Sequence, residues 1–198
     1  MEKEPGILTI VKEDVLRILA ENNDRVPVKL LKSDIKVSGY FIDKAVRDMA
    51  REKLVLSEGQ FIRLTDEGKV EAGDILKKHL TIEKYFEDLK SKKEAHRISN
   101  LIEHYISEEV MENLKKLSTF KEKGLSLVKF DKGGCLITDI VSGNDFFERL
   151  ISMGIFPGEK IEIIKDLPNG IIFRIRNKKV FISDKIAESI RALAYEEG

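Results

Sequence analysis

The sequence predicts a mainly α-helical chain that ends in a small β-barrel, and three observations carry that prediction. Apolar residues recur at helical spacing through most of the first 117 residues, broken by one short alternating stretch. Beyond residue 124 the pattern becomes short apolar runs separated by glycine- and asparagine-containing turns. Finally, 42% hydrophobic and 35% charged residues describe a folded, charge-rich chain of 198 residues, long enough to bury a real core.

Taken in order, residues 7–21 carry Ile10, Val11, Val15, Ile18 and Leu19 on one helical face, and Asn22-Asn23-Asp24 closes the helix. Residues 28–35 predict a short second helix. Ser38-Gly39 introduces a third over residues 40–53, with Phe41, Ile42, Ala45, Val46 and Met49 as its apolar stripe. The period then switches: Leu54-Val55-Leu56, the turn Ser57-Glu58-Gly59 and Gln60-Phe61-Ile62-Arg63-Leu64 predict a hairpin. Three helices followed by a two-stranded wing outline a winged helix-turn-helix domain, residues 1–68.

Thr65-Asp66-Glu67-Gly68 predicts the cap of a longer helix, about 69–89. Helices over residues 94–105 and 107–117 follow, the last with Ser107 as N-cap and Glu108-Glu109 in its first turn. Their apolar faces (Ile82, Tyr85, Phe86, Ile98, Leu101, Ile102) exceed what a thin helical segment hides, so residues 69–119 predict a helical dimerisation domain and the chain a homodimer. The charged residues 120–124 mark a linker. Strands over 125–130, 135–141, 160–165, 171–176 and 180–182, with one helix at 145–153, suit a small SH3-like barrel over residues 125–198.

Composition excludes several classes. The single Cys135 rules out an internal disulfide and a multi-cysteine zinc site. No apolar run reaches the ~18 residues of a membrane span, and Met1-Glu2-Lys3-Glu4-Pro5 lacks signal-peptide features, so a cytoplasmic protein is expected. Thirty-five basic residues balance thirty-five acidic ones, yet residues 25–53 hold eight basic and four acidic side chains, a local excess of positive charge.

All three histidines, His79, His96 and His104, fall between residues 79 and 104. Glu83 follows His79 by four residues. On a continuous helix His96, Asn100, Glu103 and His104 would share one face. Imidazole and carboxylate together suit divalent first-row metals, and helical Glu/His sets are one way metal sites are built. The plainer reading, a solvated charged face with hydrogen-bonded histidines, competes on equal terms.

The run from Leu64-Thr65-Asp66-Glu67-Gly68 through Lys78-His79-Leu80 and Ile82-Glu83 to Glu103-His104-Tyr105-Ile106-Ser107-Glu108-Glu109-Val110 resembles the diphtheria toxin repressor family of metal-dependent regulators. Gly154-Ile155-Phe156-Pro157-Gly158, after Phe147-Glu148-Arg149-Leu150, resembles the FeoA-type module fused to some of them. The resemblance implies a repressor of metal-ion homeostasis genes with Fe(II) or Mn(II) as corepressor, and no enzyme. It implies one metal site of His79, Glu83 and His96, and a second of Glu103, His104, Asp14 from the first helix, and position 100. Position 100 is Asn100, which offers an oxygen without charge. A further first-helix carboxylate of manganese-type relatives is replaced by Arg17. Barrel ligands of other relatives fall at Gly143 and Phe146, with Asp145 nearby.

Within the helix-turn-helix outline, Ser38, Tyr40, Asp43, Lys44 and Arg47 would face the major groove of double-stranded operator DNA and Arg51 its backbone. Two alternatives stand beside this reading: a metal-handling or metalloenzyme protein that binds no DNA, and a winged-helix regulator whose metal site has degenerated.

Overall fold

The structure is a computed structural model that describes residues 5–119, 124–141 and 144–195. Gly143, the side chain of Asp145 and residues 120–123 of the expected linker lie outside the described residues. The architecture is mixed, eight helices and nine strands among the described residues, with an antiparallel sheet at the C-terminal end. Its residues gather into two units, Met1–Leu80 with Glu103–Tyr105, and Thr81–Ile102 with Ile106–Gly198.

In the first unit, helix α1 (Ile7–Glu21) buries Val11, Val15, Leu16, Ile18 and Leu19. It ends where Asn22 Nδ2 caps the Ile18 carbonyl at 2.8 Å and Asn23 and Asp24 turn left-handed, a conformation their short polar side chains tolerate. Strand β1 (Arg25–Pro27) leads into α2 (Val28–Asp34) and α3 (Gly39–Arg51), which buries Ile42, Ala45, Val46 and Met49. Each of the larger side chains (Val, Leu, Ile, Met) contributes about 1.5–3 kcal/mol when fully buried. Strands β2 (Val55–Glu58) and β3 (Phe61–Leu64) form the expected hairpin, turning at Gly59 with φ +63°. Strand β1 is an addition to the expected pair: it completes a β1-β3-β2 sheet, pairing Val26 with Ile62. Three residues ending in proline give no periodic signal, and only pairing with β3 makes them a strand.

Helix α4 (Asp66–Glu87) starts at a tight junction. Thr65 Oγ1 donates to the Lys53 carbonyl at 2.6 Å and accepts from the Gly68 amide at 2.9 Å. A Cβ on Gly68 would stand 1.9 Å from the Leu54 carbonyl oxygen, so glycine is required there.

The second unit holds the end of α4, then α5 (Lys92–Ile102), α6 (Glu108–Thr119), β4 (Leu125–Ser126), β5 (Gly133–Ile140), α7 (Asn144–Ser152), β6 (Lys160–Leu167), β7 (Gly170–Ile175), β8 (Lys178–Ser183), α8 (Asp184–Ser189) and β9 (Ile190–Ala194). The strands form one antiparallel sheet in the order β4-β9-β5-β6-β7-β8. It remains open between β4 and β8 among the described residues, where a closed barrel was expected. The strand expected over 125–130 shrinks to two residues before a 3-10 turn, Leu127–Lys129, that drops Leu127 into the core. Strand β9, absent from the sequence reading, lies between β4 and β5. Its buried positions, Ile190 and Ala192, are too few for alternation to stand out.

Helices and sheet share one core in this unit. Asn113 Nδ2 donates to the Gly158 carbonyl at 2.8 Å, and the Tyr85 hydroxyl donates to the Thr138 carbonyl. Gly158, at φ +89°, lies so close to α6 that a Cβ would meet Val110 at 2.9 Å.

Candidate functional site

Helix α5 stops at Ile102, so Glu103 and His104 sit in a turn and not on the helical face expected to run from His96. Both side chains are engaged by partners on other elements of the first unit. Glu103, 2% exposed, accepts from Arg17 Nε at 3.1 Å through Oε1 and meets His79 Nδ1 at 2.5 Å through Oε2. His104 places Nδ1 2.5 Å from Glu13 Oε2, and its Nε2 lies 3.5 Å from Asp14 Oδ1 and 3.6 Å from Glu103 Oε1. Asp14, Glu103 and His104 thereby form a group whose donor atoms lie within 4.8 Å of one another.

Arg17 completes the cluster. Its buried guanidinium also donates to Glu21 at 2.9 Å and contacts Asp14 Oδ1 at 3.4 Å. Burial opposes its charge, but Glu103, Glu21 and Asp14 more than compensate and raise its pKa above the ordinary value. Burial likewise opposes a charged His104, yet its contacts with Asp14 and Glu13, helped by Glu103, push the imidazole up to about 9. Four carboxylates here face one permanent cation, an excess of negative charge that suits a divalent ion.

The donors fit such an ion in kind as well. They are carboxylate oxygens and imidazole nitrogens, which suit Mn(II) or Fe(II). Cys135, whose thiol burial pushes up to about 11, lies in the sheet core of the other unit and offers no thiolate.

Of the other predicted ligands, His79 stands one turn before Glu83 on α4 and is itself buried. In the second unit Glu83 Oε2 is 3.4 Å from His96 Nδ1, with the His96 side chain 47% exposed. Asn100 is half-buried, and its Oδ1 is enclosed without a hydrogen-bond partner among the described residues. A buried carbonyl left unpaired costs about 1–3 kcal/mol, which makes this oxygen a natural ligand atom.

Sequence reasoning missed Glu13, Glu21 and the bonding of Arg17. The signal was present: Asp14, Arg17 and Glu21 stand at i, i+3 and i+7, an ion-pair ladder on one helix face. It also kept His79 apart from Glu103, whereas the structure joins them.

The predicted DNA contacts lie along α3. Ser38 caps it, its Oγ accepting from the Tyr40 amide at 3.4 Å. Tyr40 is 62% exposed, and Arg47 is exposed with no ion-pair partner among the described residues. Lys44 and Arg51 both reach Asp48, at 3.2 and 3.5 Å, and Asp43 pairs with Lys32 at 2.7 Å. Tyr40, Lys44, Arg47 and Arg51 thus share one outward face.

With this geometry in hand, residues 65–123 match the family model described as the iron dependent repressor metal binding and dimerisation domain, and residues 131–192 match the FeoA domain. Together they span more than half of the chain. Residues 65–123 thus carry the metal binding and dimerisation domain of the iron dependent repressors, followed by a FeoA-like module. Among solved structures it is similar to the manganese regulator SloR (18% identity, 93% of this chain and 98% of that one, TM-score 0.45). It is also similar to IdeR of T. acidophilum (15% identity, 98% and 100%, TM-score 0.48). A FeoA iron uptake regulatory protein is 26% identical over 35% of this chain and 97% of its own, with TM-score 0.33. No curated protein matches. No helix among the described residues is long and apolar enough to cross a membrane.

Proposed function

We propose that this protein is a metal-dependent transcriptional repressor that binds operator DNA as a homodimer when Mn(II) or Fe(II) occupies its sites, and that it acts in the cytoplasm on genes of metal-ion homeostasis. Residues 1–68 serve as a winged helix-turn-helix domain, 69–119 as the metal-binding and dimerisation domain, and 125–198 as an SH3-like FeoA module. Asp14, Glu103 and His104, with Asn100, hold one ion; His79, Glu83 and His96 hold another. A bound divalent ion supplies charge that offsets the surplus of carboxylates.

One observation carries the reading: α1 brings Glu13 and Asp14 to His104, while its opposite face packs with α3 in the same core. Whatever steadies Asp14 and Glu13 against the 103–105 turn therefore steadies the helix that presents Tyr40, Lys44, Arg47 and Arg51. A ligand that favours this arrangement over a looser one shifts the population toward DNA binding. Ser38, Tyr40, Lys44 and Arg47 then face base edges and phosphates, and Arg51 the backbone.

The test is selection of duplexes from a random DNA pool by the full chain, followed by titration of a selected duplex with Mn(II), Fe(II) or chelator. Metal-dependent binding that chelator reverses, and that Asp14→Asn weakens, is the expected result. DNA binding indifferent to metal overturns the corepressor role. Metal binding with no selected duplex overturns the DNA role.

A further inference from the structure

The buried arginine of α1 is the feature that the proposed function leaves unused. Arg17 lies 6% exposed against three carboxylates, Asp14, Glu21 and Glu103. A side chain with a permanent charge rarely sits so deep without a purpose for that charge. The oxygens it touches are telling. Arg17 Nη2 faces Asp14 Oδ1 and Nε faces Glu103 Oε1, the same two oxygens that stand nearest His104 Nε2. The guanidinium and the candidate metal ligands therefore draw on common atoms. Its third partner, Glu21, accepts from Arg17 Nη1 at 2.9 Å, and the same oxygen lies 4.0 Å from His79 Nε2.

We propose that the Arg17 guanidinium is a resident cation of this cluster: it fills the Asp14–Glu21–Glu103 position that a second divalent ion would otherwise take, and so limits the cluster to one metal ion. This rests on the reading of Asp14, Glu103 and His104 as metal ligands. The physical logic is charge balance. Three carboxylates converging on one point need a cation, and the chain supplies its own, which cannot be deprotonated or washed out. A carboxylate oxygen has lone pairs enough to accept an N–H and still face an ion on the other side. A second divalent ion beside the guanidinium would meet uncompensated like charge at close range, which no hydration shell screens in a buried site. Arg17 also holds Asp14 and Glu103 in place before any metal arrives, so the remaining site is organised in advance.

The test compares the full-length wild type with Arg17→Gln, Arg17→Lys and His104→Ala, each titrated with Mn(II) and read by equilibrium dialysis and by electron paramagnetic resonance. Glutamine removes the charge and leaves the three carboxylates facing one another. Arg17→Gln should bind one more Mn(II) per chain than the wild type and show a spin-coupled Mn(II) pair; Arg17→Lys, which keeps the charge, should not. A coupled pair in the wild type overturns the proposal, a measurement that requires no variant to fold. So does an Arg17→Gln protein, folded by circular dichroism, that binds no additional ion. His104→Ala separates the two levels. Loss of one Mn(II) in that variant upholds the metal-site reading even if Arg17→Gln gains nothing. Unchanged binding in His104→Ala overturns that reading and the proposal with it.

Discussion

The two places where histidine meets carboxylate in this chain differ in kind. In the first unit, His79, Glu103 and His104 are buried and bonded on several sides, with Arg17 inside the cluster. In the second unit, Glu83 Oε2 lies 3.4 Å from His96 Nδ1, with half of the imidazole in water. The first arrangement makes its members depend on one another, because removing one strands a buried charge. The second is open on the His96 side, where water solvates the imidazole at little cost. The same residue types thus give a buried, densely bonded cluster in one place and a half-exposed contact in the other, and burial makes the difference.

The sharpest way to break this contrast is Glu103→Ala. It removes the Glu103 bonds of both Arg17 and His79, and should cost about 3–5 kcal/mol of unfolding free energy, read by urea denaturation in chelator. Loss within 1 kcal/mol would mean that the cluster is no hub. Next in size, Mn(II) at about 100 times its dissociation constant should stabilise the wild type by about 2.7 kcal/mol per site. Asp14→Asn should remove most of the increment assigned to the first unit, seen as a smaller metal-induced rise in melting temperature.

The third effect follows from protonation. In the metal-free protein His104 titrates near 9, above the ~6.5 of an unfolded histidine. Its bonds therefore contribute fully below about pH 6.5 and fade as pH rises through about 9, a loss on the order of 1–3 kcal/mol. Denaturant midpoints measured between these limits, with Glu13→Gln flattening the slope, check the sign. Smallest of all, His96→Ala should change metal-free stability by no more than about 0.5 kcal/mol, since its side chain is half-exposed. A larger loss would place His96 in a network as tight as that around Glu103.

Much of the fold was legible in the sequence because it is local. The apolar stripe of α1 marks residues 7–21, and the Gly59 turn marks the β2–β3 hairpin. Strands β1 and β9 were not legible, since each is short and exists only through pairing with a distant partner. The candidate site divides the same way. Residue types and the 79–104 cluster pointed to oxygen and nitrogen donors, and the family resemblance pointed to Asp14. The end of α5 at Ile102 could not be read, because the bonds that engage Glu103 and His104 come from residues 86 and 91 positions earlier in the chain.

By itself, then, the sequence determined the amphipathic helices, the hairpin, the family motif from His79 to Val110 and the kinds of ligand atoms present, all properties of neighbours within a few turns. Only the tertiary structure decided that Arg17 is an internal cation and not merely an absent ligand, that Glu13 reaches His104, and that His79 leans on Glu103. Charge pairing between distant segments depends on which groups folding buries together, and burial is a property of the packed chain that no local spacing encodes.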